Sequence, residues 1–474
     1  METDIINIIC KYMGKDEIIN LARANKDYYQ YIMNEKTIMS KYSFKVKQDR
    51  NLDFIFELPY KIFNINLEYC NINDEDMKYL EGIEQINITR CRNITDKGFK
   101  YLKNVKILNM TNCCQITNEG FKYLSQIEEL NMESCYQDTI NKTVFEHMKK
   151  LKKLNISCCS NITDDYVDYL TSLEVLNVNA CRLTDNAFEK LINLKKLDIS
   201  NTLLTDKCLS NLKKLEKLVM YRCKYITDDV FYFLTNIKKL DISHSNISNK
   251  GLKHLHNIVK LIMQFCSVDD DTLQYLQGIK YLDISGCNFF ITDLGFSYLK
   301  GIHTLLISNI QDYYDNTPLD LQNYYDGLHI TPHAFKFLEG IHRLEITDRQ
   351  NISINDLALS YLKGIKILNI SGCNSKHISY HCFKNLYSLT HLNISYCLQS
   401  SFCDKMFKYL TNLHTLDITS CSQFTDYAFS YLSNLHTLIM SSEQSFITQY
   451  AFFYLPNLHS LNHSTYLPLS SLSS

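Results

Sequence analysis

The chain has 474 residues, 45% hydrophobic and 21% charged, with a formal net charge of −2. That balance belongs to a folded chain and excludes an intrinsically disordered one. With so little net charge, no global field draws the molecule to nucleic acid or to an anionic membrane, and such a partner would need a local patch.

At the N-terminus, Ile5, Ile6, Ile9, Tyr12 and Met13 fit one face of a short helix that Gly14 ends. Asp16 can cap a second helix carrying Ile18, Ile19, Leu21 and Ala22, and Tyr28, Tyr29, Ile32 and Met33 continue as a third. Residues 1–45 therefore read as a three-helix segment and 46–61 as a linker or N-terminal cap. The opening carries acids early and has no basic stretch before its apolar residues, so it is not a signal peptide. No stretch reaches the roughly 18 apolar residues of a membrane span. The expected compartment is cytoplasmic or nuclear, not secreted.

From residue 62 onward one register recurs, L-x-x-L-x-L-x-x-C. Leu151, Leu154, Ile156 and Cys159 carry it, as do Leu173, Leu176, Val178 and Cys181, and Leu413, Leu416, Ile418 and Cys421. With one exception, successive starts lie 21 to 24 residues apart, the period of leucine-rich repeats. Each register is followed by Ile-Thr-Asp-x-x-Phe-x-x-Leu, as at Ile94, Thr95, Asp96, Phe99 and Leu102. Thr is a good N-cap, Asp suits the positive end of a helix dipole, and apolar residues three apart turn one helix face inward. The predicted fold is an α/β leucine-rich-repeat solenoid of about eighteen units over 62–474. It is a horseshoe with parallel strands on the concave face and short helices on the convex face. The last unit trails into Leu467-Pro468-Leu469 without charge and is expected to fray beyond about residue 440.

There are 18 Cys but no CxxC pair and no zinc-finger spacing, so neither a metal nor a cofactor is expected. Most fall at the ninth register position, from Cys70 and Cys91 to Cys421, where a buried thiol acts as a small apolar residue with a weak donor. The Asn-x-Ser/Thr triplets at Asn87, Asn109, Asn155, Asn369 and Asn393 fall on predicted strands, where glycans would crowd one sheet face; they read as by-products of the repeat. No phosphate-binding Gly loop, G-x-S-x-G or H-E-x-x-H is present, and no enzyme is expected. His303, His342, His414, His436 and His459 share one register position and read as repeat drift.

The register with its Ile-Thr-Asp resembles the cysteine-containing leucine-rich-repeat subfamily over residues 62–474, with units slightly shorter than is usual there. In that family the repeats commonly form the substrate-binding arm of F-box proteins. The N-terminal segment resembles an F-box through Asp4-Ile5-Ile6, Tyr12-Met13, Asp16-Glu17-Ile18 and Leu21 to Lys26. It departs in lacking the leading Leu-Pro, in Met13, and in having no Trp, with Tyr42 a substitute. The resemblance implies docking to the Skp adaptor of a cullin–RING ubiquitin ligase, with Ile5, Ile9, Tyr12, Ile18 and Leu21 either filling the F-box core or facing the adaptor. The alternative is that the three helices only cap the solenoid.

Register positions 1, 4, 6 and 9 are expected to point inward and 3, 5, 7 and 8 to form the concave surface. Position 5, mostly Asn or Asp, is expected to form a side-chain ladder across strands. Position 3 is Lys196, Lys217, Lys239 and Lys260 in consecutive units, beside Val219, Tyr221, Arg222, Ile262 and Phe265. Such a mixture suits an interface; the alternative is pairing of the lysines with Asp198 and Asp241. The unit at Ile302 is followed 39 residues later by that at Ile341, which leaves an insertion at 311–329 with Tyr313, Tyr314, Tyr324 and Tyr325. It is either a binding loop or a loose insertion.

Overall fold

The computed structural model describes residues 43–46, 52, 62–137, 139–308, 329–347, 354–373, 375, 377–441 and 446–463. The F-box-like residues Ile5, Ile9, Tyr12, Ile18 and Leu21 and the loop tyrosines Tyr313, Tyr314, Tyr324 and Tyr325 lie outside them. The chain divides into two compact units, 1–225 and 226–474.

In the first unit, the described strands are parallel and mostly three residues long. They run from Phe44–Lys45 and Asn64–Asn66 through Gln85–Asn87, Ile107–Asn109, Glu129–Asn131, Lys153–Asn155, Val175–Asn177 and Lys196–Asp198 to Lys217–Val219. The sheet thus starts ahead of the first full register, with Phe44 opposite Ile65. Pairing is repeat on repeat without slip: Ile65, Ile86, Leu108, Leu130, Leu154, Leu176, Leu197 and Leu218 stand side by side at position 4, all buried. The second unit repeats the pattern from Lys239–Asp241 to Ser460–His463. A repeat this short leaves room for one helical turn. Asp96–Phe99 and Asn118–Phe121 are α-helical, but Lys142–Phe145, Asp185–Phe188 and most later turns are 3₁₀. Behind the sheet, Phe99, Phe121, Phe145, Phe188 and their successors form the fully buried column, with Phe99 and Phe121 edge to face at 6.2 Å.

Three polar devices recur along the stack, two of them joining one repeat to the next and the third closing each strand end. The first is the Asp of Ile-Thr-Asp. It was expected to meet its own helix; instead it caps the helix of the following repeat. Asp74 accepts from the Thr95 amide at 2.7 Å, the Thr95 hydroxyl at 2.6 Å and the Gly98 amide at 3.1 Å. Asp96 does the same for Thr117 and Gly120. The relay continues through Asp164 to Thr184 and Asp185 to Thr205, and in the second unit through Asp228 to Ser248, Asp270 to Thr292 and Asp404 to Thr425. A Cβ on Gly120 would lie 2.5 Å from the Asp96 carboxylate, so glycine lets that amide reach it.

The second device is the ninth-position Cys, whose Sγ reaches the position-6 carbonyl of the preceding repeat. Cys91 meets Leu67 O at 3.1 Å, Cys113 meets Ile88 O at 3.0 Å, and Cys181 meets Ile156 O at 2.9 Å. The third is position 5, and here the expected ladder is corrected. The side-chain oxygen turns back onto its own strand end: Asn87 Oδ1 accepts from Thr89 N at 2.9 Å, Asn109 from Thr111 N at 3.1 Å and Asp198 from Ser200 N at 2.9 Å. These Asx turns steer the chain into a left-handed residue at position 8, where Tyr69, Arg90 and Cys158 have φ of 62°, 60° and 59°. Arg222, after Val219, reaches 57° with the Tyr221 amide donating to Ser200 Oγ instead. Non-glycine residues there carry strain of about 1–2 kcal/mol each.

The insertion does not interrupt this scaffold. Thr304–Ser308 pairs directly with Arg343–Thr347, and Asp293 caps Thr331 although 38 residues separate them.

Asp96→Ala removes three acceptor contacts from the next repeat and should destabilise the first unit by about 2 kcal/mol. Urea denaturation followed by circular dichroism measures this; Lys97→Ala, next in sequence and outside the relay, should leave the midpoint within error.

Candidate functional site

One sheet face packs on the helical turns; the other is open. In the first unit positions 3 and 5 stand half-buried or exposed on it, whereas in the second Asp283, Thr304, Asn369, Asn393 and Asp417 are buried. Position 7 was expected there throughout, but Thr89, Ser157, Ser200, Ser243, Ser285 and Thr419 are buried. A small hydroxyl residue is drawn under the turn that follows the strand, whereas the larger Glu133 and Tyr221 stay half-buried.

In the first unit the structure places Lys196 directly opposite Lys217, both exposed. Neither has a carboxylate within 4 Å among the described residues, and Asp198 is occupied by the Ser200 amide. The alternative in which Asp198 pairs with the lysines is therefore not formed. Val219 and Tyr221 are half-buried beside them, and the exposed Arg222 guanidinium lies 5.1 Å from the Tyr221 ring centre.

In the second unit Lys239 stands opposite Lys260. Lys239 is exposed, but Lys260 Nζ sits 3.8 Å from the Tyr281 ring centre. Ile262 is half-buried on the same strand. Phe265 is engaged: it stacks on His244 at 4.2 Å and covers Gly286, where a Cβ would come within 2.8 Å of the ring. Further along, Gln264 donates to Asp283 at 2.7 Å, Arg343 pairs with Glu345, and Asn369 donates to Glu345 at 3.4 Å. Burial pushes the Asp283 carboxyl up and the Tyr281 phenol up to about 12. This stretch of the face largely satisfies itself.

Reading the histidines as drift missed an arrangement. His303 stacks on His342 at 4.6 Å and 12°, His414 lies 4.9 Å from His436, and His436 lies 5.6 Å from His459. The signal was present, since a shared register position on adjacent parallel strands puts side chains one strand apart. Desolvation, then His303, Lys366 and Arg343, lowers the His342 pKa; desolvation, then His414, Arg343 and His342, lowers that of His391.

The buried thiols are held protonated. Burial pushes Cys91, Cys113 and Cys135 up to about 12. Among the described residues Cys158 alone is an exposed cysteine, no three His, Cys, Asp or Glu side chains could together hold a metal, and no helix is long and apolar enough to cross a membrane.

The stacked strand-and-turn units, with their buried leucine and phenylalanine columns and an open strand face, define a leucine-rich-repeat protein. The model of the BspA-type leucine-rich repeat region matches in six copies over residues 53–174, 168–259 and 328–462, and the chain belongs to that family. No curated protein matches the sequence. Among solved structures, the chain of the TLR13–ssRNA13 complex is similar with a TM-score of 0.54 and 18% identity. That likeness covers 89% of this chain and 62% of the other, so this chain spans less than two thirds of it. A leucine-rich-repeat protein of Leptospira interrogans is similar with a TM-score of 0.50 and 16% identity, over 88% of this chain and 100% of that one. At these identities the likeness shows the fold. The family match begins at residue 53, so the F-box-like residues 1–45 lie outside it.

Two measurements follow from the thiols and the histidines. Iodoacetamide at pH 8 should label Cys158 in the native protein and spare Cys91, Cys113 and Cys135 until denaturant is added, as read by peptide mass spectrometry. Because His342 and His391 titrate lower in the folded chain than unfolded, the unfolded chain takes up protons first. Stability should fall as pH drops below about 6.5. Asp283 and Asp417, whose carboxyls burial pushes up, act with the opposite sign at lower pH. Urea midpoints between pH 7.5 and about 5.5 should decline in the wild type and decline less in His342→Gln/His391→Gln.

Proposed function

We propose that the chain is a protein-interaction solenoid that holds a partner protein on the open face of its sheet, and that residues 1–45 dock a Skp-type adaptor. The partner would thereby be recruited to a cullin–RING ubiquitin ligase. The first part is carried by Lys196 and Lys217, exposed cations without a carboxylate partner beside half-buried Val219 and Tyr221. Two facing like charges are unfavourable by themselves, and a complementary partner relieves them. Lys239 with Ile262 offers the same pairing of chemistry in the second unit. The adaptor part rests on the resemblance of Asp4 to Lys26 to an F-box and on its place ahead of the repeats.

The proposed compartment is cytoplasmic or nuclear, in keeping with the free thiols of Cys91, Cys113, Cys135, Cys158, Cys159 and Cys181. The proposed partners are proteins. A formal charge of −2 and short, interrupted basic stretches give a nucleic-acid backbone little to hold. The family match that begins at residue 53 favours a second reading, a repeat scaffold or inhibitor with no ubiquitin link.

Co-purification of the full chain with a Skp adaptor separates the two. Capture that is lost in Ile5→Asp/Ile9→Asp/Leu21→Asp is the expected result; no capture by the wild type selects the scaffold. Separately, Lys196→Glu/Lys217→Glu should lower capture of the partner from cell extract at least roughly tenfold, a change of about 1.4 kcal/mol. Undiminished capture would remove this face from the interaction.

A further inference from the structure

The open face of the first unit carries a file of oriented hydrogen-bond donors. Asn66, Asn87, Asn109, Asn131, Asn155 and Asn177 are direct neighbours at position 5 of successive strands. Adjacent strands lie about 4.8 Å apart. Each amide is pinned, because its Oδ1 accepts from the backbone amide two residues on, at 2.9 to 3.1 Å. Only the oxygen end can accept that bond, so which end is NH₂ is settled by the backbone. Asn155 Nδ2 donates to Glu133 at 3.3 Å. The Nδ2 groups of Asn66, Asn87, Asn109, Asn131 and Asn177 have no hydrogen-bond partner among the described residues. None of the five is among the buried polar atoms that lack a partner, so each is open to solvent.

The file therefore presents donors whose paired acceptors are already used. At its end position 5 changes to Asp198 and Val219, and the neighbouring position 3 becomes Lys196 and Lys217. Acids do occur on the face. Glu129 is paired with Lys153 at 2.5 Å, Glu133 takes the Asn155 amide, and Glu68 stands at the far end. What remains unmatched is a row of amide N–H donors leading to two cations.

We propose that this face binds an extended acidic segment of a partner protein, laid across the strands. Its carboxylates and carbonyls accept from the asparagine amides, and its most acidic end lies on Lys196 and Lys217. The proposal rests on the reading of the chain as a protein-interaction solenoid and names the chemistry of the partner. Neutral amides hold carboxylates and peptide carbonyls at little electrostatic cost. A nucleic acid would instead need a cation at most phosphates along the row and bare aromatic platforms for its bases.

The decisive variant is Asn87→Asp/Asn109→Asp/Asn131→Asp. It keeps Oδ1 for the turn and replaces the donor NH₂ by a charged acceptor. The fold tolerates Asp at position 5, as Asp198, Asp241, Asp283 and Asp417 demonstrate. Fluorescence anisotropy with the full chain would use labelled oligoglutamate, oligolysine and a single-stranded oligonucleotide as probes. The expected result is saturable binding of oligoglutamate alone, weakened at least roughly tenfold in the aspartate triple variant and in Lys196→Glu/Lys217→Glu, with unchanged circular dichroism. Equal binding by the wild type and the aspartate variant overturns the inference, as does preference for the oligonucleotide or no binding of oligoglutamate. A partner captured from extract through Lys196 and Lys217 but indifferent to the aspartate variant would overturn this inference alone and leave the interaction reading standing.

Discussion

A strand of three residues followed by one helical turn has no stability by itself. Nucleating a turn fixes several backbone dihedrals for a single hydrogen bond, and one repeat buries too little apolar surface to offset that. The capping carboxylate handed forward from each repeat to the next solves this. Asp74 holds the first amides of the turn at Asp96–Phe99, and Asp96 holds those of the turn at Asn118–Phe121. Each turn starts already capped by its neighbour, so repeats become stable only as a stack. The Cys thiols work in the same direction along the strand side, each adding a second donor from the next repeat to a carbonyl that already accepts a turn amide. Even the long insertion is spliced in by this bond, since Asp293 reaches Thr331 across it.

The same economy shapes the open face. A chain that must turn sharply after position 5 needs an acceptor for the amide at position 7. Asn or Asp supplies it in most repeats, while Ser200 and Ser243 of the preceding repeat do so after Val219 and Ile262. Asn and Asp serve the turn equally, as Asn177 and Asp198 on adjacent strands illustrate. The choice between them is therefore free to be made by what lies outside the sheet. In the first unit it is Asn six times running, which leaves NH₂ groups outward. In the second unit Asp283 is buried and takes up Gln264, and Glu345 takes up Arg343 and Asn369. One unit spends its polar groups internally, and the other keeps its donors exposed.

Much of the fold was legible because its period is strict. Leu, Ile or Val at positions 1 and 4 and, in most repeats, an aliphatic residue or Met at 6 and Cys at 9 name the buried side of the strands. The structure agrees from Ile65 to Leu438. What one repeat's sequence could not show is where a side chain goes when its partner lies about 22 residues away. Asp96 looks like a dipole-stabilising first-turn residue, and only the stack reveals that it serves Thr117. Asn87 looks like a ladder member because its neighbours are identical, yet its side-chain oxygen accepts from its own Thr89 amide and hydroxyl. The lysine pair was legible as an anomaly in the register. The histidine stack was legible as well, but identical residues in register were read as drift.

The left-handed residue at position 8 sharpens the contrast between scaffold and surface. Gly286 and Gly372 fill that position without strain, and Asn112 and Asn201 nearly so. Tyr69, Arg90, Arg222, Phe265 and Tyr396 do not, yet they hold it with φ near +60°. A scaffold under selection for stability alone would place Gly or Asn there. Phe265 recovers part of its cost by stacking on His244 and lying over Gly286. Arg222 and Arg90 are exposed and lie over Tyr221 and Tyr69 instead. There the guanidinium–ring contact, and not burial in the core, offsets part of the strain.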